Sequence, residues 1–358
     1  MSFEIKRKKT RQIHVGPVKI GGEAPIAVQS MTNTHTQDIA ATVAQIQRLE
    51  AGGCEIIRVA VPDMEAAAAI TEIKKQISIP VIADIHFDYQ LAIAAANAGA
   101  DGLRINPGNI GGRERIRAVV DAAKDHGIPI RVGVNSGSLE PDLLKKYGGV
   151  TVDGLVESAL RQIDLMASLD FTDLKLAIKS ANVPQSIEAY RRLSEKTDFP
   201  LHVGITEAGG LYSGIVKSSI GIGMLLAEGI GDTLRVSLTR DPVEEVRVGF
   251  EILKALSIRQ RGPEIISCPT CGRCNIDLFS IAETVETALL THTTPIKIAI
   301  MGCVVNGPGE AREADVGIAG GDGIGILFKK GEVVKKFPED QLVEELLRAV
   351  TEFEKSGT

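Results

Sequence analysis

The chain has no tryptophan, and aromatic residues fill only 4% of its 358 positions. Single-stranded nucleic acids are gripped by stacking on such rings, so a base-binding platform is not expected. A basic surplus is missing as well: the formal net charge is −6, whereas nucleic-acid binders carry a basic stripe. No run approaches the roughly 20 apolar residues that a membrane-crossing helix needs. Met1 to Arg11 is basic, but no apolar segment follows it, so it does not read as a secretory signal. Cysteine is scarce and odd in number, at five. Without a leader, that usage points to a reducing cytoplasm and to metal ligation rather than disulfides. What is present is ordinary for a globular protein. Hydrophobic residues make up 44%, enough for a full core and for two domains at this length.

The cysteines are unevenly spread. The stretch Cys268-Pro269-Thr270-Cys271-Gly272-Arg273-Cys274 spaces three of them at two-residue intervals, and Cys303 follows about thirty residues on. Thiolates set that closely in a Gly- and Pro-containing turn can converge on one centre, because each supplies a soft, anionic sulfur. Four such ligands suit a structural zinc site. Closely spaced cysteines plus a distant one equally suit an iron–sulfur cluster. A set of small buried thiols without metal fits poorly with two overlapping C-x-x-C steps. Spacing alone does not separate zinc from iron.

Upstream, a Gly-rich opening over 13–22 predicts a hairpin, and short apolar runs then alternate with helical patterns. The candidate strands are 27–32, 55–61, 80–86, 102–106, 129–135, 173–179, 200–206 and 233–239, and the last helix of the series is 243–256. Eight such units over about 250 residues are the mark of a parallel (β/α)8 TIM barrel. A doubly wound open sheet seldom needs eight equal units. The polar stretch Ser257 to Pro263 closes the series and marks a boundary. Beyond it the sequence predicts a small α/β domain: a strand at 264–267, a helix at 278–290, a strand at 295–301 and two or three more over 316–337. Pro338 is expected to open a final helix with Leu342, Leu346, Val350 and Phe353 on one stripe.

Barrel enzymes work at the C-terminal ends of their strands, and here those ends are charged. In order they carry Arg58, then Asp84 and His86, Arg104 and Asn106, Arg131 and Asn135, Lys175 and Lys179, Glu207, and finally Arg235 and Ser237. Residues two apart on a strand share a face. Any one of these alone reads equally well as a structural ion pair, but several cations gathered at one mouth repel each other unless an anion sits among them. The planar fork of arginine suits phosphate oxygens, so a phosphorylated small molecule is the expected substrate. Other features carry less. Gly320 to Gly325 has the wrong spacing for a dinucleotide loop and reads as a hairpin turn. Cys54 reads as a small buried residue. His14, His35, His126 and His292 read as surface or loop residues without partners.

Context then adds a resemblance. Met301-Gly-Cys-Val-Val-Asn-Gly-Pro-Gly-Glu310 and Ile266-Ser-Cys-Pro-Thr-Cys-Gly-Arg273 resemble the two cluster motifs of the bacterial 4-hydroxy-3-methylbut-2-en-1-yl diphosphate synthases. The stretches around Arg58, Arg104, Arg131, Glu207 and Arg235 resemble the same family, so the likeness spans essentially the whole chain. It implies a [4Fe-4S] cluster held by Cys268, Cys271, Cys303 and Glu310. Cys274 departs from the family pattern, as a competitor of Glu310 or a spare thiol, and reads better as spare. A carboxylate ligand leaves one iron exchangeable and able to take a substrate oxygen. It implies that Arg58, Arg104, Arg131, Lys179 and Ser237 hold a diphosphate, with Asp84, His86 and Arg235 alongside, while Asn135 and Glu207 lie near the reacting carbons. Residues 1–260 would be the diphosphate-binding barrel and 261–358 the cluster domain. The implied reaction opens 2-C-methyl-D-erythritol 2,4-cyclodiphosphate reductively in non-mevalonate isoprenoid biosynthesis. Flavodoxin or ferredoxin would supply electrons and Glu207 a proton. The implied assembly is a homodimer in which the small domain of one chain caps the barrel of the other. Two rivals are a phosphate-binding barrel lyase or transferase with a structural zinc module, and an electron carrier that has no use for a mouth lined with arginines.

Overall fold

The computed structural model describes residues 5–303 and 311–356; Glu310, with 304–309, lies outside the described residues. The chain divides into two compact units, Met1–Arg259 and Gln260–Thr358.

The first unit opens with the hairpin β1 (Ile13–Val15) and β2 (Val18–Ile20), antiparallel and turned at Gly16, whose φ is +53°. Then come β3 (Ala27–Met31), α1 (Ile39–Ala51), β4 (Ile56–Ala60), α2 (Met64–Lys74), β5 (Val81–Asp84), α3 (Tyr89–Asn97) and β6 (Gly102–Ile105). The series continues with α4 (Pro107–Ile110), α5 (Arg113–His126), β7 (Ile130–Asn135), α6 (Pro141–Tyr147), α7 (Val152–Ala167), β8 (Leu174–Lys179) and α8 (Val183–Lys196). It ends with β9 (His202–Val203), α9 (Leu211–Ala227), β10 (Thr233–Leu234) and α10 (Pro242–Ala255).

The strands form one all-parallel sheet in the order β8-β7-β6-β5-β4-β3-β10-β9, and a parallel bridge from Leu176 to Leu201 closes the ring. This is the (β/α)8 barrel the sequence predicts. Local chemistry sets the helix starts: Asp38, Asp63, Asp88, Asn182 and Asp241 each accept a hydrogen bond from a first-turn amide of α1, α2, α3, α8 and α10. The last two barrel strands are shorter than their apolar runs suggest, so Arg235 and Ser237 lie just beyond β10 and His86 two residues beyond β5. Ile13, Val15 and Ile20 of the hairpin pack on Ala27, Ile56 and Ile82 at the strand starts. The N-terminal end of the barrel is thereby closed by an apolar plug.

The second unit holds a five-stranded sheet: β11 (Pro263–Ser267), β12 (Ile296–Met301), β13 (Val316–Gly321), β14 (Ile324–Lys329) and β15 (Glu332–Pro338), adjacent in that order. The first three are parallel and the last two pairings antiparallel. Two helices, α11 (Leu278–Leu289) and α12 (Leu342–Ser356), share its core, with Leu342, Leu346 and Val350 buried as one stripe. Gly320 to Gly325 is a hairpin turn and no nucleotide loop. Asp322 and Gly323, both at positive φ, connect paired β13 and β14. One expectation is corrected. Pro338 ends edge strand β15 opposite Ile324, and a short turn, Glu339–Gln341, intervenes before α12. An edge strand tolerates a residue without an N–H. Among the described residues no helix is long and apolar enough to cross a membrane.

Candidate active site at the barrel mouth

Alternation along each strand sorts the barrel's side chains. Ile57 and Val59, Leu103 and Ile105, Ile130 and Val132, and Leu174, Leu176 and Ile178 belong to the core between strands and helices. The residues between them must therefore face the barrel interior. Those are Arg58, Arg104, Arg131, Lys175 and Lys179, with Asp84 on β5. Register sets Asp84 beside Arg104, Arg104 beside Arg131, Arg131 beside Lys175, and Asn135 beside Lys179. A TIM barrel normally fills this space with branched apolar side chains. Here five neighbouring strands, β4 to β8, present charge.

Few of these charges are neutralised. Asp84 accepts from Arg104 Nη1 at 2.9 Å and lies 3.4 Å from Arg58 Nε. Arg58 also donates through Nε and Nη2 to the sulfur of Met31, at 3.2 and 3.0 Å. Arg235 pairs with Glu245 of α10 at 3.3 Å. By contrast Arg131 Nε and Nη1, Arg104 Nε and the Lys175 ammonium are buried with no hydrogen-bond partner among the described residues. A buried, unpaired cation is costly, so this is a cradle shaped for an anion. Two glycines keep it open. A Cβ at Gly133 would stand 3.0 Å from Arg131 Nη2, and one at Gly204 would stand 3.0 Å from the Lys179 nitrogen.

Crowding registers in the ionisation of the cations. Burial and the charges of Arg235 and Arg104, opposed by Asp84, lower Arg58 to about 10. Burial, then Arg58 and Arg104, push Arg131 well below its ordinary value, and burial and Arg131 do the same to Lys179. Asp84 responds in the opposite sense. Burial would raise its carboxyl, but Arg58, His86 and Arg104 outweigh that and hold it well below the usual carboxylate range.

The remaining predicted residues are distributed around this cradle. Asn135 ends β7, half-buried. His86 is more than half exposed, with Nε2 3.7 Å from Asp84 and 3.4 Å from Arg104 Nη1. Glu207 is exposed and held at a φ of +53°, an uncommon conformation for a residue with a side chain. Asn106 turns to local work, accepting from Gly108 N at 3.2 Å and donating to Ser138 Oγ at 3.0 Å. Sequence reasoning passed over His202 and Gln29, both buried polar residues at inward-facing positions; a polar residue alternating with core residues in a barrel strand is the signal that finds them. The histidines read as partnerless need correction at two positions. His126 bonds Asn97 Oδ1 at 2.9 Å, and His292 pairs with Glu354 at 2.7 Å. Cys54 is a buried small residue as expected, its thiol pushed up to about 12 by burial.

In the second unit, Cys268 follows β11 and donates its amide to Ile300 O at 3.1 Å, while Cys303 lies two residues past β12. They occupy the C-terminal ends of adjacent parallel strands, and none of the five cysteines is in a disulfide. Cys271 is exposed in the intervening turn, where Thr270 takes a φ of +64°. Cys274 is half-buried: its Sγ lies 3.4 Å from Ile276 O and against Gly302, beside Cys303, and like Cys268 it packs on the unit's core. Among the described residues no three His, Cys, Asp or Glu side chains are close enough to hold a metal together. Cys268 and Cys303 at one sheet end, with Cys271 in the turn after β11, are soft anionic donors of the kind an iron–sulfur cluster takes; the expected ligand Glu310 lies outside the described residues.

Fold and lining together define a (β/α)8-barrel protein with a cationic interior, followed by a thiol-bearing α/β unit. The likeness to the dihydropteroate synthase of Stenotrophomonas maltophilia shows the barrel fold alone, with a TM-score of 0.50, 14% identity, and 69% of this chain and 99% of that chain covered. The family model described as GcpE TIM-barrel domain matches residues 10–250, and that of the GcpE protein C-terminal domain matches 264–352. The chain is 61% identical over 353 residues to the 4-hydroxy-3-methylbut-2-en-1-yl diphosphate synthase (flavodoxin) of Desulfotalea psychrophila, covering 98% of this chain and 97% of that one. It is 58% identical over 344 residues to the protein of the same name from Geobacter sulfurreducens, covering 96% and 98%. The chain belongs to the GcpE family.

Proposed function

We propose that this protein is an iron–sulfur oxidoreductase that converts 2-C-methyl-D-erythritol 2,4-cyclodiphosphate to 4-hydroxy-3-methylbut-2-enyl diphosphate in the non-mevalonate isoprenoid pathway. The observation that carries the reading is the inward-facing cationic cradle, in which Arg131 Nε and Nη1 and Arg104 Nε are buried with no hydrogen-bond partner among the described residues. Two electrons and two protons enter, a carbon–oxygen bond of the ring breaks, and one oxygen leaves as water.

Arg58, Arg104, Arg131, Lys179 and Ser237 hold the diphosphate, and Arg235 adds charge at the rim. The arginines disperse the charge that builds on the phosphate oxygen as it parts from carbon, a preorganised electrostatic task. Asp84 fixes the guanidinia of Arg58 and Arg104 in place; a carboxylate between two arginines orients them and does not itself receive an anion. His86 caps that carboxylate from the solvent side. Asn135 orients the carbon chain, and Glu207 delivers a proton to the departing oxygen. A [4Fe-4S] cluster held by Cys268, Cys271, Cys303 and Glu310 would supply electrons singly, which a hydride carrier does not. The barrel is the substrate domain and the second unit the cluster domain.

Flavodoxin, named for the relatives, is the electron donor proposed here, and the reducing cytoplasm the compartment. A homodimer is the proposed assembly. It is supported by an exposed apolar row on α9, formed by Tyr212, Val216, Ile220 and Met224 at four-residue intervals.

Anaerobic purification followed by iron, sulfide and zinc analysis tests the reading. About four irons and four sulfides per chain, lost in Glu310→Ala and kept in Cys274→Ala, are expected, together with reductive turnover of the cyclodiphosphate. Zinc without sulfide, lost in Cys274→Ala, would replace this reading with a phosphate-binding barrel carrying a structural zinc module.

A further inference from the structure

One cation of the inner wall has no task in the chemistry above. Lys175 of β8 is 1% exposed, and its ammonium nitrogen has no hydrogen-bond partner among the described residues. Leu174 and Leu176 on either side belong to the outer core, so Lys175 faces the interior. It stands beside Arg131 in register, deeper than Lys179 and above the apolar plug.

The groups around it offer no balancing charge. Arg131 on β7, Arg58 on β4 and Lys179 on β8 are themselves basic side chains. His202 on β9 bonds Thr233 Oγ1 through Nδ1 at 2.9 Å and leaves Nε2 unpartnered, and Gln29 on β3 leaves both amide atoms unpartnered. Tyr190 on α8 spends its hydroxyl on His202 O at 2.6 Å. The acids are engaged elsewhere. Asp84 is held by Arg58 and Arg104, while Asp232 accepts from Leu201 N, Thr10 and Arg7.

We infer that Lys175 is a substrate-linked proton acceptor: uncharged in the empty barrel, it takes one proton from solvent when the diphosphate settles among the arginines above it. The inference rests on the function proposed above. The step is R–NH2 + H+ → R–NH3+; no other bond changes and no electron moves.

An ammonium in that position is disfavoured by desolvation and by like charges, which act in the same direction. Burial, then Arg131 and Arg58, lower Lys175 to about 7, with Asp232 alone pulling upward. A bound diphosphate reverses the sign of the local field, so the amine gains a proton. The gain strengthens binding from below the ligand. His202 does not compete, because burial above all, with the basic groups around it, holds it well below its ordinary value and therefore neutral. Lys179 is also pushed well below its ordinary value and contributes uptake of its own. The decisive quantity is therefore the difference between proteins rather than the total.

The test is calorimetric binding of the cyclodiphosphate to the oxidised holoenzyme without reductant, near pH 8, in two buffers of different ionisation enthalpy. Wild type is expected to take up about 0.9 proton or more, and Lys175→Met about one proton fewer than wild type. Lys175→Gln, which keeps a polar group in a polar layer, should match Lys175→Met. Wild-type affinity should also fall more steeply than that of either variant between about pH 7 and pH 9, by up to tenfold per unit. Equal proton counts in wild type and a binding variant would overturn the inference. So would a wild-type uptake below about half a proton, which needs no variant to fold. If wild type fails to bind the cyclodiphosphate at all, it is the proposed function that falls.

Discussion

Gly133 and Gly204 show how much of the anion cradle depends on atoms that are absent. A methyl group at Gly133 would meet the far end of the Arg131 side chain at 3.0 Å, whereas one at Gly204 would meet the Arg235 carbonyl oxygen at 2.5 Å. A guanidinium swings aside and a backbone does not. Gly133→Ala is therefore expected to fold normally and weaken diphosphate binding by about tenfold, roughly 1.4 kcal/mol. Gly204→Ala should lower the thermal midpoint as well, and calorimetry beside a binding titration separates the two. Asp84→Asn removes the one carboxylate that holds Arg58 and Arg104, so about 3 kcal/mol of stability should be lost near neutral pH. The sign with pH follows from its depressed pKa. Stability from Asp84 is present above the unfolded carboxylate's pKa of about 3.9 and is lost only as pH falls below it towards the folded value, so wild type and Asp84→Asn should converge in strong acid. The inward positions were legible in the sequence because core residues alternate with charges along each strand. Their pairing was not. Nothing in the linear order tells that Asp84 lies between two arginines while Arg131 and Lys175 have no acid beside them.

At the level of elements, the long strand runs and the helix caps were readable because they are local: an Asp or Asn before a helical pattern, a Gly after it. β9 and β10 are only two residues each, although their apolar runs suggest seven-residue strands. Arg235 N still bonds Val203 O at 3.1 Å, whereas Glu207 and Ser237 lie past the paired residues, so tertiary context and not strand propensity sets where pairing stops. The β13–β14 turn is a case where local chemistry decides alone. Two consecutive positive φ values, at Asp322 and Gly323, match the twist that a two-residue hairpin demands. Gly323→Ala, at a φ of +77°, should cost about 1 kcal/mol. Its effect should appear in the melting of the second unit, with barrel ligand binding unchanged. A loss of diphosphate affinity in this variant would show that the turn does more than connect two strands.

For the molecule as a whole, each unit has its own core. The barrel is built on the strand–helix shell and the apolar plug, and the second unit on the sheet and two helices. The barrel is penalised by its own interior, where six inward or rim basic side chains, Arg58, Arg104, Arg131, Lys175, Lys179 and Arg235, meet the carboxylates of Asp84 and Glu245. Site and instability thus have one cause. An anion that satisfies those cations must stabilise the barrel, because it binds the folded state and not the unfolded chain. Inorganic pyrophosphate at about a hundred times its dissociation constant should contribute roughly 2.7 kcal/mol, a rise of several degrees for a domain of this size. Differential scanning calorimetry of the full chain should resolve two transitions, of which pyrophosphate moves the barrel's alone. In Lys175→Met the barrel transition should lie higher than in wild type without ligand. That gain should grow as pH falls from about 10 towards about 7, the range in which the unfolded lysine is charged and the buried one is not. A barrel transition indifferent to pyrophosphate would mean that the inward cations are satisfied within the protein, and the anion cradle would have to be abandoned.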